Sequence, residues 1–345
     1  MIYMKRYILS SLFLLVLVVA CAGTAENGAE KRTGDTKAAP QPQVVEPMAI
    51  VPVFDGDSAY SYVAAQVAFG PRVPNSVAHS KCGDYLEATL RAFGADVISQ
   101  KPDIKAYNGD VLKARNIIAR FQPEKSERIL LCAHWDTRPW ADSDPDTNNH
   151  YKPYPGANDG GSGVGVLLEV ARHLSLVPTE LGVDIVLFDA EDYGRHSAEW
   201  RDAVDGEETW ALGSKYWAQN PHVKDYEARY GILLDIVGAP GSKFLYEGYS
   251  KHYAPRIVKK VWNQAYKLGY SSYFLNADGG VITDDHVNVN KILGIPCVDI
   301  INCDPESPNG FGEYHHTMKD DMDWIDPAPL KAVGQTLLSV IYSEK

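Results

Sequence analysis

Side chains that can bind a metal ion or move a proton stand directly after several apolar runs of the chain. His134 follows one run, Glu191 and Asp192 follow a second, and Asp235 follows a third. One aspartate after a strand is more often a turn former or a helix cap than a ligand. Several carboxylates at one edge of a sheet repel one another, and a bound cation relieves that repulsion. Histidine and carboxylate ligands without cysteine are typical of Zn²⁺ in a catalytic site, so the sequence predicts a zinc enzyme.

Two more segments carry residues of the same kinds. Asp159 lies in a glycine-rich segment, residues 156–163, which precedes an apolar helical pattern, and His315 and His316 lie near the C-terminal end. Taken alone, Asp159 is more often a helix cap than a ligand, and a lone histidine is usually structural. Their convergence with the strand-end residues favours one shared metal site.

The glycine-rich segment matches neither the dinucleotide-binding motif nor the serine-hydrolase motif. Val166 stands where the dinucleotide fingerprint requires its third glycine. Ser162 is followed two residues later by Val164, which breaks the nucleophile motif of α/β hydrolases. These glycines are therefore expected to let the following helix approach the sheet closely.

Apolar runs and helical patterns alternate along most of the chain. The runs predict strands at 116–121, 128–133, 183–188, 231–234 and 295–301, and helical spacing predicts helices at 60–69, 85–93, 164–174, 211–218, 253–268 and 330–341. This alternation predicts an α/β fold with a mainly parallel, twisted central sheet and helices on both faces. In such folds the site lies beyond the carboxyl ends of the strands, where the polar residues stand.

The N-terminal segment has the pattern of an export signal. Lys5 and Arg6 precede an apolar run from Ile8 to Ala20, which is short for a membrane span. The run ends at Cys21, as in bacterial lipoprotein signals, where the cysteine receives the lipid. The alternative is an ordinary signal peptide that ends near a cysteine. We expect residues 1–20 to be a lipoprotein signal peptide and the protein to be an exported lipoprotein, periplasmic or associated with the outer membrane.

The composition after the signal separates a tether from a folded part. Residues 21–49 contain few large apolar side chains, which predicts a flexible tether. Residues 50–345 are long enough for one large α/β domain, which we expect to be catalytic. The formal net charge of −12 argues against a nucleic acid as partner, so the expected contacts are substrates and, through the lipid, a membrane.

The remaining cysteines point away from a cysteine metal site. Cys82, Cys132, Cys297 and Cys303 form no Cys-x-x-Cys pair. Export permits disulfides, whereas Cys132 and Cys297 lie in apolar runs, where buried free thiols are common.

Six ordered segments between about residues 55 and 343 resemble those of the zinc-dependent glutaminyl-peptide cyclotransferases of the animal type. That family is related to the bacterial zinc aminopeptidases and shares their fold. The segments are Cys132–Asp136, Gly156–Asp159, Leu187–Asp192, Leu233–Ala239, Gly280–His286 and His315–Asp321. The resemblance implies conversion of N-terminal Gln in peptides and proteins to pyroglutamate, with release of ammonia.

The resemblance also implies the roles of particular residues at the site. Asp159, Asp192 and His316 match the ligands of one zinc ion per chain, and Glu191 matches the catalytic acid/base. Animal cyclases have Glu at the Asp192 position, where the shorter Asp binds zinc equally well.

Five further positions complete the implied site. Asp235 and Asp284 match carboxylates that share a proton network with the acid/base, while Phe311 and Trp200 match aromatic walls of the substrate pocket. His315 stands where animal cyclases have a tryptophan wall, and we include it among the substrate-binding residues.

Two other functions compete with the cyclase interpretation. A zinc aminopeptidase binds two zinc ions, and its expected ligands are all present: His134, Asp159, Asp192, Asp235 and His316. The residues around Asp284 and those after His316 favour the cyclase. A substrate-binding lipoprotein with an inactive fold is the third possibility, and Glu191 argues against it, because a binding protein needs no base beside the metal.

Overall fold

A six-stranded mixed sheet lies at the centre of the molecule. The computed structural model describes residues 51–202, 208–307 and 309–345, except for the side chains of residues 200–202. These residues belong to one compact unit, Met48–Lys345. The strands are β1 (Asp96–Gln100), β2 (Asp103–Lys105), β3 (Val111–Lys113), β4 (Asn116–Phe121), β5 (Arg128–His134), β6 (Gly182–Phe188), β7 (Gly231–Asp235), β8 (Phe244–Tyr246), β9 (Phe274–Asp278) and β10 (Cys297–Ile301).

The order of strands in the central sheet is β1-β4-β6-β5-β7-β10. The pairings β6–β5, β5–β7 and β7–β10 are parallel, while β1–β4 and β4–β6 are antiparallel. Two-stranded sheets β2–β3 and β8–β9 lie beside it. The predicted mainly parallel sheet is thus confirmed, with an antiparallel β4 that the apolar pattern alone could not orient.

Helices cover both faces of the sheet, as predicted. Along β5 the side chains alternate: Ile129, Leu131 and Ala133 face one core cluster, and Leu130 and Cys132 face the other. The helices are α1 (Gly56–Val67), α2 (Val77–Ala92), α3 (Gly161–Leu176), α4 (Leu212–Gln219), α5 (Gly248–Tyr253), α6 (Pro255–Lys267), α7 (Asp285–Asn288) and α8 (Pro327–Ile341). Residues of α1, α2, α3, α6 and α8 belong to the first cluster, and residues of α4 belong to the second.

The structure differs from the predicted elements in two ways. The helix expected over 253–268 is observed as α6, which begins at Pro255, a residue without an amide hydrogen, while the short helix α5, just before it, was not predicted. Strands β1, β2, β3, β8 and β9 were not predicted, since they are short and largely half-buried or exposed, so that their apolar pattern is weak.

The glycines before α3 bring that helix against the strand ends. A Cβ atom on Gly163 would lie 2.5 Å from the carbonyl oxygen of Leu234 and 3.0 Å from the Cβ of Ala133. Gly160 has φ of +78°, in the left-handed region that favours glycine. The expected close approach of helix to sheet is confirmed, and it holds Asp159 beside the ends of β5 and β7.

The cysteines at 82, 132, 297 and 303 are free thiols, and the first three are buried. Within the described ranges no helix is long and apolar enough to cross a membrane. The predicted signal peptide, Cys21 and the tether at 21–49 lie outside the described residues.

Candidate active site

A cavity of about 730 Å³ opens at the carboxyl ends of β6, β7 and β10. It gathers most of the residues that the sequence singled out, from segments that are far apart in the chain. Those that line it are Asp159, Glu191, Asp192, Asp235, Asp284, Phe311, His315 and His316. His134 lies against this group, with its Nε2 3.1 Å from Asp159 Oδ1 and 3.1 Å from Asp235 Oδ1.

The three predicted zinc ligands converge at one point of the cavity. His316 Nε2 lies 3.2 Å from Asp192 Oδ1 and 3.4 Å from Asp159 Oδ2. Asp192 is 1% exposed, and its Oδ1 atom has no hydrogen-bond partner among the described residues. A buried carboxylate oxygen without a partner is costly, and a cation beside it removes that cost. The donor set of one imidazole and two carboxylates therefore fits Zn²⁺.

The neighbouring ligand set of the two-metal alternative is also assembled. His134, Asp159 and Asp235 present ligand atoms that all lie within 4.8 Å of one another. Asp159 belongs to both sets, since its two oxygens face the two histidines. Ligand geometry alone therefore does not distinguish the cyclase from the aminopeptidase, just as the ligand residues in the sequence did not.

A buried tyrosine links the two ligand carboxylates. The Tyr154 hydroxyl lies 3.0 Å from Asp159 Oδ2 and 3.1 Å from Asp192 Oδ2, and its side chain is fully buried. The backbone amide of Arg138 donates to the same Asp192 oxygen at 3.0 Å. Sequence reasoning missed Tyr154. The sequence did offer a signal, because Tyr154 stands just before the glycine-rich segment that carries Asp159. A buried tyrosine hydroxyl needs a hydrogen-bond partner, and a nearby ligand carboxylate can be that partner.

Two further carboxylates fix the loops that carry the ligands. Asp320 accepts the amide of Asp159 at 3.0 Å, and Asp136 accepts the amides of Glu191 and Asp192 at 3.1 and 3.2 Å. Ala190, just before Glu191, has φ of +54°. The hydrogen bonds of Asp136 hold this strained turn, so that Glu191 and Asp192 stay side by side.

Several acidic residues of the cavity have raised proton affinities. Burial holds the pKa of Glu191 well above its usual range, and the carboxylates of Asp284 and Asp192 raise it further, against the effect of His134. Burial and the Asp235 carboxylate raise the pKa of Asp284 to about 7. Burial likewise raises the pKa of Asp235. Asp284 can therefore exchange a proton near neutral pH, while Glu191 and Asp235 hold their protons more tightly than exposed carboxyl groups do.

The two adjacent histidines are held in the neutral form. Burial and the Arg138 guanidinium lower the pKa of His316 to about 4. Burial and the neighbouring His316 keep the pKa of His315 well below its usual range. Neutral imidazole is the form that binds a metal, so His316 is ready to act as a ligand.

Aromatic side chains form walls of the cavity. The rings of Phe311 and His315 are 4.6 Å apart, and His315 stacks on His316 at 3.7 Å. On the other side Trp210 lies parallel to His316, with ring centroids 5.9 Å apart. The sequence prediction placed a tryptophan wall at Trp200, whose side chain lies outside the described residues. Trp210, which was missed, stands ten residues later in the chain.

A family model for peptidase family M28 matches residues 116–341. This range includes all the predicted ligands and Glu191. The chain belongs to peptidase family M28.

Solved structures similar to this M28 protein have names of two kinds. The glutaminyl cyclase of Bacteroides thetaiotaomicron, bound to N-acetylhistamine, is 55% identical, with 86% of this chain and 100% of that chain covered and a TM-score of 0.83. A leucine aminopeptidase precursor from the same organism is also 55% identical, with the same coverage and a TM-score of 0.82.

Curated relatives of this M28 protein divide in the same way. Aminopeptidase YwaD of Bacillus subtilis is 25% identical over 281 residues, which cover 79% of this chain and 54% of YwaD. The chain thus spans about half the length of that relative. The glutaminyl-peptide cyclotransferase of Drosophila melanogaster is 25% identical over 285 residues, which cover 75% of this chain and 73% of the fly protein.

Proposed function

We propose that this M28 protein is a glutaminyl-peptide cyclotransferase, an acyltransferase that converts N-terminal Gln of peptides and proteins to pyroglutamate and releases ammonia. The observation that carries the proposal is the position of Glu191, a buried carboxyl of raised pKa that lines the cavity beside the metal ligand Asp192. The likeness to the Bacteroides cyclase, at 55% identity over 86% of this chain, supports it.

Asp159, Asp192 and His316 would hold one zinc ion per chain. When bound, zinc polarises a carbonyl group and stabilises negative charge that develops on its oxygen. Two neighbouring groups keep these ligands in place. The Tyr154 hydroxyl lies within hydrogen-bond distance of both carboxylates, and the Asp320 carboxylate accepts a hydrogen bond from the amide of Asp159.

Glu191 moves the proton in the proposed reaction. The α-amine nitrogen of the substrate attacks the γ-amide carbon, a ring C–N bond forms, and the bond from that carbon to the amide nitrogen breaks. Glu191 takes a proton from the attacking amine and gives it to the departing ammonia. The Asp284 carboxylate raises the proton affinity of Glu191, and Asp235 in turn raises the pKa of Asp284.

Positioning accounts for much of the rate, because the nucleophile and the acyl group belong to one residue. Holding two reacting groups together is worth roughly 7–11 kcal/mol in favourable cases. Phe311, His315 and Trp210 line the cavity and place the glutaminyl side chain between aromatic surfaces. The same walls exclude water, which is not a reactant in cyclisation.

The second candidate is a zinc aminopeptidase. The observation in its favour is the His134–Asp159–Asp235 group, which could hold a second metal ion. That enzyme must generate a hydroxide nucleophile, a step that two metal ions assist.

A pair of peptides separates the two functions. The cyclase converts a Gln-initiated peptide to a product lighter by one ammonia, with the chain uncut, and leaves a Leu-initiated peptide unchanged. The aminopeptidase releases free leucine and shortens both chains. Product masses from the two incubations decide between them.

The proposal also includes location. The segment before Cys21 and the tether at 21–49 support a lipid-anchored enzyme on the outside of the inner membrane or on the outer membrane.

A further inference from the structure

The mouth of the cavity carries one lysine whose charge the described residues leave uncompensated. Lys291 lines the cavity and is exposed, and its Nζ lies 5.3 Å from the centre of the Tyr249 ring. No ion pair joins Lys291 to a carboxylate in the described part of the chain. The charge is therefore available to a ligand that passes through the mouth.

The other charged groups near the opening are already paired. Glu208 lines the same mouth and is bonded to Lys215 at 2.6 Å. The Arg138 guanidinium is buried and forms two hydrogen bonds with Asp142, of 2.9 and 2.6 Å. Lys291 is thus a cation at the opening that has no carboxylate partner among the described residues.

The backbone that carries Lys291 is firmly held. It lies in the π-helical turn Val289–Leu293. Within this turn the Asn290 side chain donates to the carbonyl oxygens of His286 and Cys297 at 2.9 and 2.8 Å, and it accepts the amide of Cys297 at 3.0 Å. The lysine is therefore presented from a fixed base, and only its own side chain needs to move toward a ligand.

The geometry of the proposed reaction sends the substrate chain past this lysine. The N-terminal Gln must lie deep in the cavity, beside the buried Glu191. The next residues then leave through the opening, whose exposed lining includes Val281, Thr283 and Lys291. Their side chains then lie near Lys291 and near Val281, which is 69% exposed.

We propose that Lys291 forms a subsite that selects peptides with acidic side chains directly after the N-terminal Gln. The inference rests on the proposed cyclase function and names the substrate class of that site. An Asp or Glu carboxylate at the second or third position pairs with the Lys291 ammonium at the edge of the cavity. The pairing is exposed to solvent, so it is modest in strength and weakened by salt.

The test compares two hexapeptides of identical composition, Gln-Glu-Glu-Ala-Lys-Lys and Gln-Lys-Lys-Ala-Glu-Glu. Equal net charge removes the effect of the acidic enzyme, whose formal charge is −12, on the peptide as a whole. We expect kcat/KM for the first peptide to exceed that for the second by about two- to fivefold at low ionic strength. The ratio should shrink when salt is added.

Variants of Lys291 and a matched control complete the test. Lys291→Met should bring the ratio close to one, Lys291→Arg should keep it, and Lys291→Glu should invert it. Lys267→Met, which changes an exposed lysine of α6 outside the cavity, should leave it unchanged. If wild type cyclises both peptides equally well, or if Lys291→Met keeps the preference, the subsite is wrong and the cyclase stands. If neither peptide is cyclised, the cyclase assignment fails and the subsite fails with it.

Discussion

The hydroxyl of Tyr154 lies 3.0 Å from Asp159 Oδ2, and the fully buried ring gives it no access to water. The same hydroxyl is 3.1 Å from the carboxylate of Asp192. One phenol thus orients two of the three proposed zinc ligands, which are 33 residues apart in the sequence. Outer groups of this kind keep ligands in place before the metal binds.

Replacing this tyrosine should weaken zinc binding while the protein stays folded. Tyr154→Phe removes only the hydroxyl group, so the ring still packs, but the two carboxylates lose the hydroxyl that they share. We expect the zinc dissociation constant to rise about 10- to 100-fold, measured by competition with a chelator. Tyr342→Phe is the matched control, because that hydroxyl bonds to the Val177 carbonyl, away from the cavity. Equal zinc affinity in Tyr154→Phe and wild type would show that the hydroxyl does not orient the ligands.

Changing the proposed acid/base should separate chemistry from structure. Glu191→Gln keeps the shape and removes the proton acceptor, so we expect normal folding, normal zinc content and at least about a 100-fold lower rate of cyclisation. Asp192→Ala should lose zinc together with activity, since it removes a ligand. Rate measurements paired with metal analysis distinguish the two variants. Full activity in Glu191→Gln would refute the mechanism even if pyroglutamate is the product.

His222 should make the folded state more stable as pH rises through the weakly acidic range. Burial lowers the pKa of His222 from its ordinary value of 6.5 to about 4. The ring accepts a hydrogen bond from Trp217 Nε1 at Nδ1, as a neutral imidazole does. Between about pH 4 and 6.5 the unfolded chain binds a proton at this residue that the folded protein does not, so its contribution rises with pH and is complete above this window.

The His222 effect is measured as a difference between two proteins. The free energy of unfolding of wild type minus that of His222→Gln, followed by denaturant titration, should increase from pH 4 to about pH 6.5 and stay constant above it. Other titrating groups cancel in the difference. A difference that does not vary with pH would mean that His222 titrates alike in the folded and unfolded states.

The lipid anchor is tested at Cys21. The native protein should partition into the detergent phase after extraction, and Cys21→Ser should move to the aqueous phase, because the attachment atom is lost. Immunoblots of both phases measure the distribution. Cys303→Ser, which changes a half-buried thiol of the folded part, is the control. The same distribution for Cys21→Ser and wild type would contradict lipidation.

The buried strands and the residues at their ends could be predicted because both depend on local sequence. The apolar runs at 128–133, 183–188 and 231–234 must be buried away from water, which identifies them as strands of the core. The polar residues that directly follow them are then placed at one edge of the sheet. The antiparallel direction of β4 depends on pairing with β6, which begins 66 residues after the start of β4. No local pattern encodes that choice.

The residues that were missed act through contacts distant in sequence. Trp210 belongs to the site because its ring stacks on that of His316. Asp136 belongs to it because its carboxylate accepts hydrogen bonds from the amides of Glu191 and Asp192. In the sequence Lys291 is indistinguishable from other exposed lysines, and only the folded structure shows that it lines the cavity. Such roles arise from the assembled site, whereas ligand types and their positions after strands are already visible in the chain.

The cyclase assignment is tested most directly by the mass of the product formed from one Gln-initiated peptide in water labelled with heavy oxygen. A cyclase uses no water, so the expected product is lighter by one ammonia, with no heavy oxygen incorporated and every peptide bond intact. An aminopeptidase would release free Gln that carries heavy oxygen in its carboxylate and leave a peptide shorter by one residue. That second result would contradict the assignment.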